Sequence, residues 1–193
     1  MNRLNQNLIN KLLFYESYHS NKLNKLIHVI FVPLIFYSAL VMTSYISLYI
    51  PVIGSLAYMI YYIYLDRLAG ITYSLLLLFM LSHINTISFY TALFVHILSW
   101  IAQILSHKFV EKRAPALLDS FFQAITIAPL FTWYEVLSIF GYRRRLLAYI
   151  HCEALYLQRF GKLRRQRSFD EITFEEETRE QKQEKTMKFD FYK

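Results

Sequence analysis

Three histidines and a carboxylate carry the chemistry that can be read from this chain: His19 and His28 near the start, and His107 with Glu111 at the end of a long apolar stretch. His19 lies just before an apolar run and His28 about one helical turn inside it. The segment Trp100-Ile101-Ala102-Gln103-Ile104-Leu105-Ser106-His107 closes another such run and leads directly into Lys108, Glu111, Lys112 and Arg113. At about 100° per residue on an α-helix, His96, Trp100, Gln103, His107 and Glu111 fall within roughly 80° of one another. Ionisable groups at a membrane boundary are costly to bury, and where they occur they are paired, metal-bound or functional. Neutral imidazoles with a carboxylate suit a redox-active divalent iron centre that leaves positions open for oxygen and a substrate. Imidazoles that only hydrogen-bond at an interface are the plainer alternative.

The neighbours refine this picture. Ser20 or Asn21 can cap a helix that starts there, placing His19 on a turn that folds over the helix end. Asn24 and His28 then share a face at spacing i, i+4. His96 sits about 16 Å up the helix from His107, too far to share an ion with it, and can line a substrate channel or simply pack. Glu111 can ligate a metal or act as a base one turn after His107, or it can pair with Lys108, Lys112 or Arg113. Those three cations beside an apolar bundle suit the carboxylate of an amphiphile, and equally the ordinary positive flank of a membrane helix. Glu135, inside Trp133-Tyr134-Glu135-Val136-Leu137, calls for a cation or an imidazole. His83 is read as an interhelical hydrogen-bonding residue and His151 as a surface residue. The single Cys152 excludes an internal disulfide and a multi-cysteine metal site.

The elements that must position these groups are helices. With 55% hydrophobic residues, mean hydropathy +0.27, and only four glycines and four prolines, the chain reads as an all-α, polytopic transmembrane bundle. Apolar runs cover Leu26 to Ile50, Pro51 to Leu65, Ile71 to Tyr90, Thr91 to Leu105 and Leu117 to Phe140, which predicts four to six helices. Keeping Lys22, Lys25, Lys108 to Arg113 and Arg143 to Arg145 on the cytoplasmic side favours a re-entrant hairpin bent near Pro129. Met1 to Ser20 is polar and reads as no cleavable signal. The net charge of +7 lies on residues 1–163, because cations and carboxylates balance over residues 164–193, a polar C-terminal tail too poor in apolar residues to form a core. The excess cations flank apolar segments, which points to membrane lipids or an acidic amphiphile as partners and away from nucleic acid.

Several separated motifs, in order from Phe14 to Arg143, resemble those of the fungal and bacterial 2-hydroxy fatty acid dioxygenase family, named for the metabolism of phytosphingosine to odd-numbered fatty acids. They are Tyr18-His19, Asn24, His28 with Val32-Pro33, Trp100 with Gln103 and His107, Glu111-Lys112-Arg113 with Pro115-Ala116-Leu117, and Ala128-Pro129-Leu130-Phe131 with Glu135 and Gly141-Tyr142. The resemblance implies a transmembrane dioxygenase-like domain over residues 1–163, in the endoplasmic reticulum or bacterial inner membrane with its site facing the cytoplasm. It also implies Fe2+ and dioxygen as the means of shortening a 2-hydroxy fatty acid by its carboxyl carbon, without 2-oxoglutarate. Carried onto this chain, it gives His19, His28, His107 and then Glu111 as metal and catalytic residues. Asn24, His96, Trp100, Gln103, Lys112 and Arg113 become the residues around the substrate. The chain has Ser20 where a second histidine often follows the first, and Ser106 and Lys108 where glycines are common. Two other readings compete: a di-iron lipid hydroxylase or desaturase, which needs about eight clustered histidines against the six dispersed ones here, and a lipid-binding membrane protein without catalysis.

Overall fold

The computed structural model describes residues 6–112, 121–157 and 159, with no side-chain placement for residues 6, 7 and 121–124. The chain divides into two compact units, Met1–Ala154 and Leu155–Lys193, and the helical bundle is built from the first. The expected tail, residues 164–193, lies outside the described residues.

Among the described residues the regular elements are all helical: α1 (Gln6–Glu16), α2 (Lys22–Ser44), α3 (Tyr49–Leu65), α4 (Arg67–Ser82), α5 (Phe89–Ser106), a π-helical turn His107–Glu111, α6 (Phe121–Ile139) and α7 (144–157). The α1 helix is an addition to the expected runs, since the start of the chain is polar. Leu8, Leu12 and Tyr15 recur at helical spacing and are all buried, so a narrow apolar stripe docks α1 against α6. Asn21 is the cap of α2, its side chain accepting the Leu23 N–H at 2.9 Å. That cap lets the chain turn sharply between α1 and α2, where His19 sits.

The α2 helix is the hub: α5 lies along one side of it, and α6 and α3 along others. A single residue, Asp66, joins α3 to α4, and the two pack as a close hairpin. A Cβ on Gly70 would lie 2.3 Å from the Ile63 nitrogen and 2.4 Å from the Tyr62 carbonyl carbon, so only glycine permits this approach. The Asp66 carboxylate caps α4 and also accepts from Tyr134 (2.8 Å), Tyr142 (2.7 Å) and Arg143 (2.9 Å), fastening the end of α6 to the hairpin. Burial works against its ionised form, but the two phenol donors and the guanidinium outweigh that and hold the carboxyl below its ordinary range.

The expected re-entrant hairpin at Pro129 is not formed: α6 runs continuously through it. Proline removes the N–H that would bond the carbonyl four residues earlier. Tyr58 donates to that carbonyl, Ile125 O, at 3.3 Å, and Tyr62 donates to the next, Thr126 O, at 2.8 Å. Tyr58 thus takes up the carbonyl that the proline frees, and both tyrosines tie α6 to α3.

Two segments, Lys22–Ser44 and Phe89–Glu111, are long and apolar enough to cross a membrane, whereas Tyr49–Leu65, Arg67–Ser82 and Ile125–Ile139 are apolar but shorter. Only 28% and 22% of the apolar windows in the two long segments are buried inside the protein. Most of their apolar surface therefore faces outward, unlike that of a core helix in a water-soluble domain.

Candidate metal centre

His19, His28 and His107 meet in the interior where the α1–α2 turn, the first turns of α2 and the π turn after α5 converge, and each is at most 4% exposed. Their ring centroids are 4.5, 4.8 and 4.9 Å apart and their planes lie 74° to 88° from one another. One potential ligand atom from each lies within 4.8 Å of the others.

Local bonding fixes which nitrogens point inward. The Nδ1–H of His19 donates to the Tyr15 carbonyl at 2.8 Å, and that of His28 to the Asn24 carbonyl at 2.9 Å, both reaching back four residues. A neutral imidazole with its proton on Nδ1 carries a lone pair on Nε2. Burial first, and the neighbouring His28 next, hold the His19 imidazolium well below its ordinary range, so the ring stays neutral. The Nε2 of His19 is buried with no hydrogen-bond partner among the described residues, and so is the Nδ1 of His107. The Nε2 atoms of His28 and His107 lie 3.2 Å apart. Two lone pairs so placed repel unless a proton or a cation lies between them. Imidazole nitrogens each about 2.1 Å from one ion, and roughly 100° apart around it, would be separated by about this distance. Three buried imidazoles with potential ligand atoms inside 4.8 Å, two of them with the tautomer fixed and one pair at a chelating separation, are a donor set suited to a single transition-metal ion.

Glu111 departs from its expected place. Its Oε1 accepts the Ser20 N–H (2.9 Å) and hydroxyl (2.6 Å), while Oε2 accepts the Asn21 N–H (3.0 Å) and the Asn24 amide (3.1 Å). A carboxylate offers about four acceptor directions, and four protein donors occupy them. Glu111 therefore braces the turn carrying His19 against the π turn carrying His107, and it stands outside the three-histidine group. Ser106 completes the brace by donating to Asn24 Oδ1 at 2.7 Å. Asn24 is thus part of this support and does not line the cavity.

A cavity of about 130 Å³ opens from the imidazole cluster. Its floor is α2, with His28, Val32, Ile35 and Phe36 on one stripe; α5 contributes Trp100, Gln103, Ile104 and His107. From α6 come Ile125, Ala128 and Pro129. Trp100 and Gln103 line this cavity, and the Nε2 of Gln103 is buried without a partner among the described residues. His96 stands behind this wall: Trp100 donates its indole N–H to His96 Nε2 at 3.0 Å, and His96 bonds through Nδ1 to Ser38 at 2.9 Å. His96 is thereby tied to Trp100 and Ser38, outside the three-histidine group. Among the described residues no lysine or arginine lines the cavity. Lys112 is exposed, in a left-handed conformation (φ 56°) that ends the π turn, and Arg113 lies outside the described residues.

Tyr15 is an addition to the expected set. Its ring stacks on His19 with centroids 4.0 Å apart and planes 4° apart, and burial pushes its phenol pKa up, so it remains protonated. The spacing Leu8, Leu12, Tyr15, His19 is the signal in the sequence that places it. Glu135 has the cation it calls for: Lys25 bridges Glu16 (2.6 Å) and Glu135 (3.1 Å). His151 bonds Glu16 at 2.5 Å and is only partly exposed, and His83 bonds the Phe79 carbonyl at the end of its own helix. No role at the centre falls to either.

A family model described as Mpo1-like, 2-hydroxy-palmitic acid dioxygenase, matches residues 6–139. The 2-hydroxy-palmitic acid dioxygenase MPO1 of Saccharomyces cerevisiae is 34% identical over 167 residues, spanning 82% of this chain and 96% of that protein. No solved structure matches the chain.

Proposed function

The chain belongs to the Mpo1-like family, and on that footing we propose that it is a membrane-embedded, Fe(II)-dependent dioxygenase that shortens 2-hydroxy fatty acids by one carbon. The observation that carries the metal part of this reading is the trio of buried imidazoles whose potential ligand atoms lie within 4.8 Å of one another beside an apolar cavity.

His19, His28 and His107 are the residues that would hold the ion, and a set of only three nitrogens leaves coordination positions for a substrate. Held there, a ferrous ion would supply the one-electron chemistry that ground-state dioxygen requires. The protein's own contribution is orientation and dryness. Tyr15 and the Tyr15 and Asn24 carbonyls fix two of the rings, the Glu111 brace fixes the third relative to them, and Val32, Ile35 and Ile104 keep the adjoining space apolar. Gln103 and Trp100 stand beside the imidazoles, where the carboxylate and 2-hydroxyl of the acid would lie. The overall change balances with one dioxygen: C2 rises from alcohol to carboxylic acid, the C1–C2 bond breaks, and C1 leaves as carbon dioxide with one water.

The outward apolar faces of α2 and α5 support a membrane location, and positive flanks at Lys22, Lys25 and Lys108 support a cytoplasmic site. A di-iron enzyme is the weaker reading, because the described residues form one three-histidine cluster, enough for one ion. The test is direct. Purified protein loaded with ferrous iron should consume oxygen and form pentadecanoate from 2-hydroxypalmitate. An iron-loaded, folded protein that forms none would overturn the reading.

A further inference from the structure

The cavity changes character along its length. At the closed end Tyr15, His19, His28, Gln103 and His107 are all under 7% exposed. Elsewhere in the lining Ile35 and Phe36 are half-buried, and Ile125 and Ile104 are 38% and 54% exposed. These last two stand on opposite walls, α6 and α5, with α2 beneath them. Both walls pack on α2, so the space between them is a slot over the α2 stripe, and that stripe, from His28 to Phe36, runs about 12 Å along the helix axis. The open end lies among the apolar, outward faces of α2 and α5.

Size decides what can fit. An apolar cavity of about 150 Å³ holds a benzene ring, and pockets that enclose drug-sized ligands run to about 300–1,000 Å³. At about 130 Å³ this cavity takes a head group and the first few carbons of an alkyl chain, but not a long chain.

We infer that the slot is a lateral port: the polar head of a single-chain acid reaches the imidazoles, and its alkyl chain passes between Ile104 and Ile125 and lies in the surrounding bilayer. This deepens the proposed function and rests on it. The occupant is set by the gradient itself, polar and closed at one end, apolar and open at the other, with the opening on the faces that meet lipid. Two consequences follow. Substrate arrives from within the membrane without passing through water, and the enzyme selects the head group while remaining tolerant of chain length beyond the port.

The experiment compares 2-hydroxypalmitate with 2-hydroxyoctanoate in nanodiscs, using wild type and the variants Ile104→Trp and Ile125→Trp, with iron content measured for each. Both positions are exposed, so a larger ring there is compatible with folding. The expected result is that the ratio of kcat/KM for the long acid to that for the short acid falls about tenfold in either variant, with iron content unchanged. Equal losses on both acids, or no change in the ratio, overturn the port and leave the dioxygenase reading standing. Wild-type protein that is iron-loaded yet inert towards both acids overturns that reading, and the port with it.

Discussion

The Nε2 atoms of His28 and His107 lie 3.2 Å apart although 79 residues separate them in the chain. Each ring is buried and His28 has its proton committed elsewhere, so a proton or a cation must lie between the two nitrogens, and the proposed centre puts a cation there. Alanine at His19, His28 or His107 should therefore reduce bound iron from about one equivalent to under about a tenth, by elemental analysis of the purified protein. His96→Ala should retain its iron, because His96 touches Ser38 and Trp100 instead. Iron loss in His96→Ala as complete as in the three would sink this assignment.

Glu111→Gln should weaken the centre without removing it. The amide presents a donor to groups that are themselves donors, so two of the four bonds from Ser20, Asn21 and Asn24 are lost or reversed. The expected effects are a loss of about 2–3 kcal/mol in stability and a rise of about 10-fold or more in the dissociation constant for Fe2+. Thermal unfolding and an iron titration in detergent measure the two separately. If Glu111 were a ligand, iron would be lost outright at normal stability.

Acid should loosen the corner built on Asp66. Its carboxyl titrates below the ordinary range in the folded protein, so its contribution is full above the unfolded value of about 3.9 and disappears as pH falls through the lower folded value. Acid unfolding curves of wild type and Asp66→Asn should differ near neutral pH, by about 2–4 kcal/mol, and converge below about pH 4. Curves that stay parallel to the lowest pH would contradict this.

Gly70→Ala should open the α3–α4 hairpin. The new methyl meets backbone atoms of Tyr62 and Ile63 at 2.3 to 2.5 Å, and backbone cannot rotate aside as a side chain can. A loss of about 1–3 kcal/mol is expected in thermal or denaturant unfolding, against near-neutral behaviour for Gly54→Ala, where a Cβ has open space.

Much of the centre is legible in the sequence because its parts are local. Asn21 as a cap, Asn24 and His28 one turn apart, and His107 at the end of an apolar run all follow from helix geometry. The misplaced parts depend on partners far along the chain. Glu111 reads as a ligand one turn beyond His107, but the Ser20–Asn24 segment supplies donors that its neighbours do not reveal. Pro129 reads as a bend, but α6 runs through it, with Tyr58 from α3 taking up the carbonyl that the proline leaves free. The shallow stripe of Leu8, Leu12 and Tyr15 is hidden among polar residues, yet it docks the helix whose last carbonyls orient His19.

The π turn from His107 to Glu111 has a consequence for how relatives should be compared. Closing a hydrogen bond from Lys112 N–H to His107 O, five residues back, admits one residue more than an α-helical turn would. Removing one of Lys108, Phe109 or Val110 would let α5 continue as an α-helix, and three α-helical steps of about 100° bring the carboxylate to within about 30° of where the four wider-turning steps of the π turn put it. The π turn therefore absorbs one residue without moving the brace off Ser20. A homologous chain one residue shorter between the histidine and the carboxylate can keep the same partners at the positions of Ser20 and Asn21, and an alignment gap there would mark loss of the π turn, not loss of the brace.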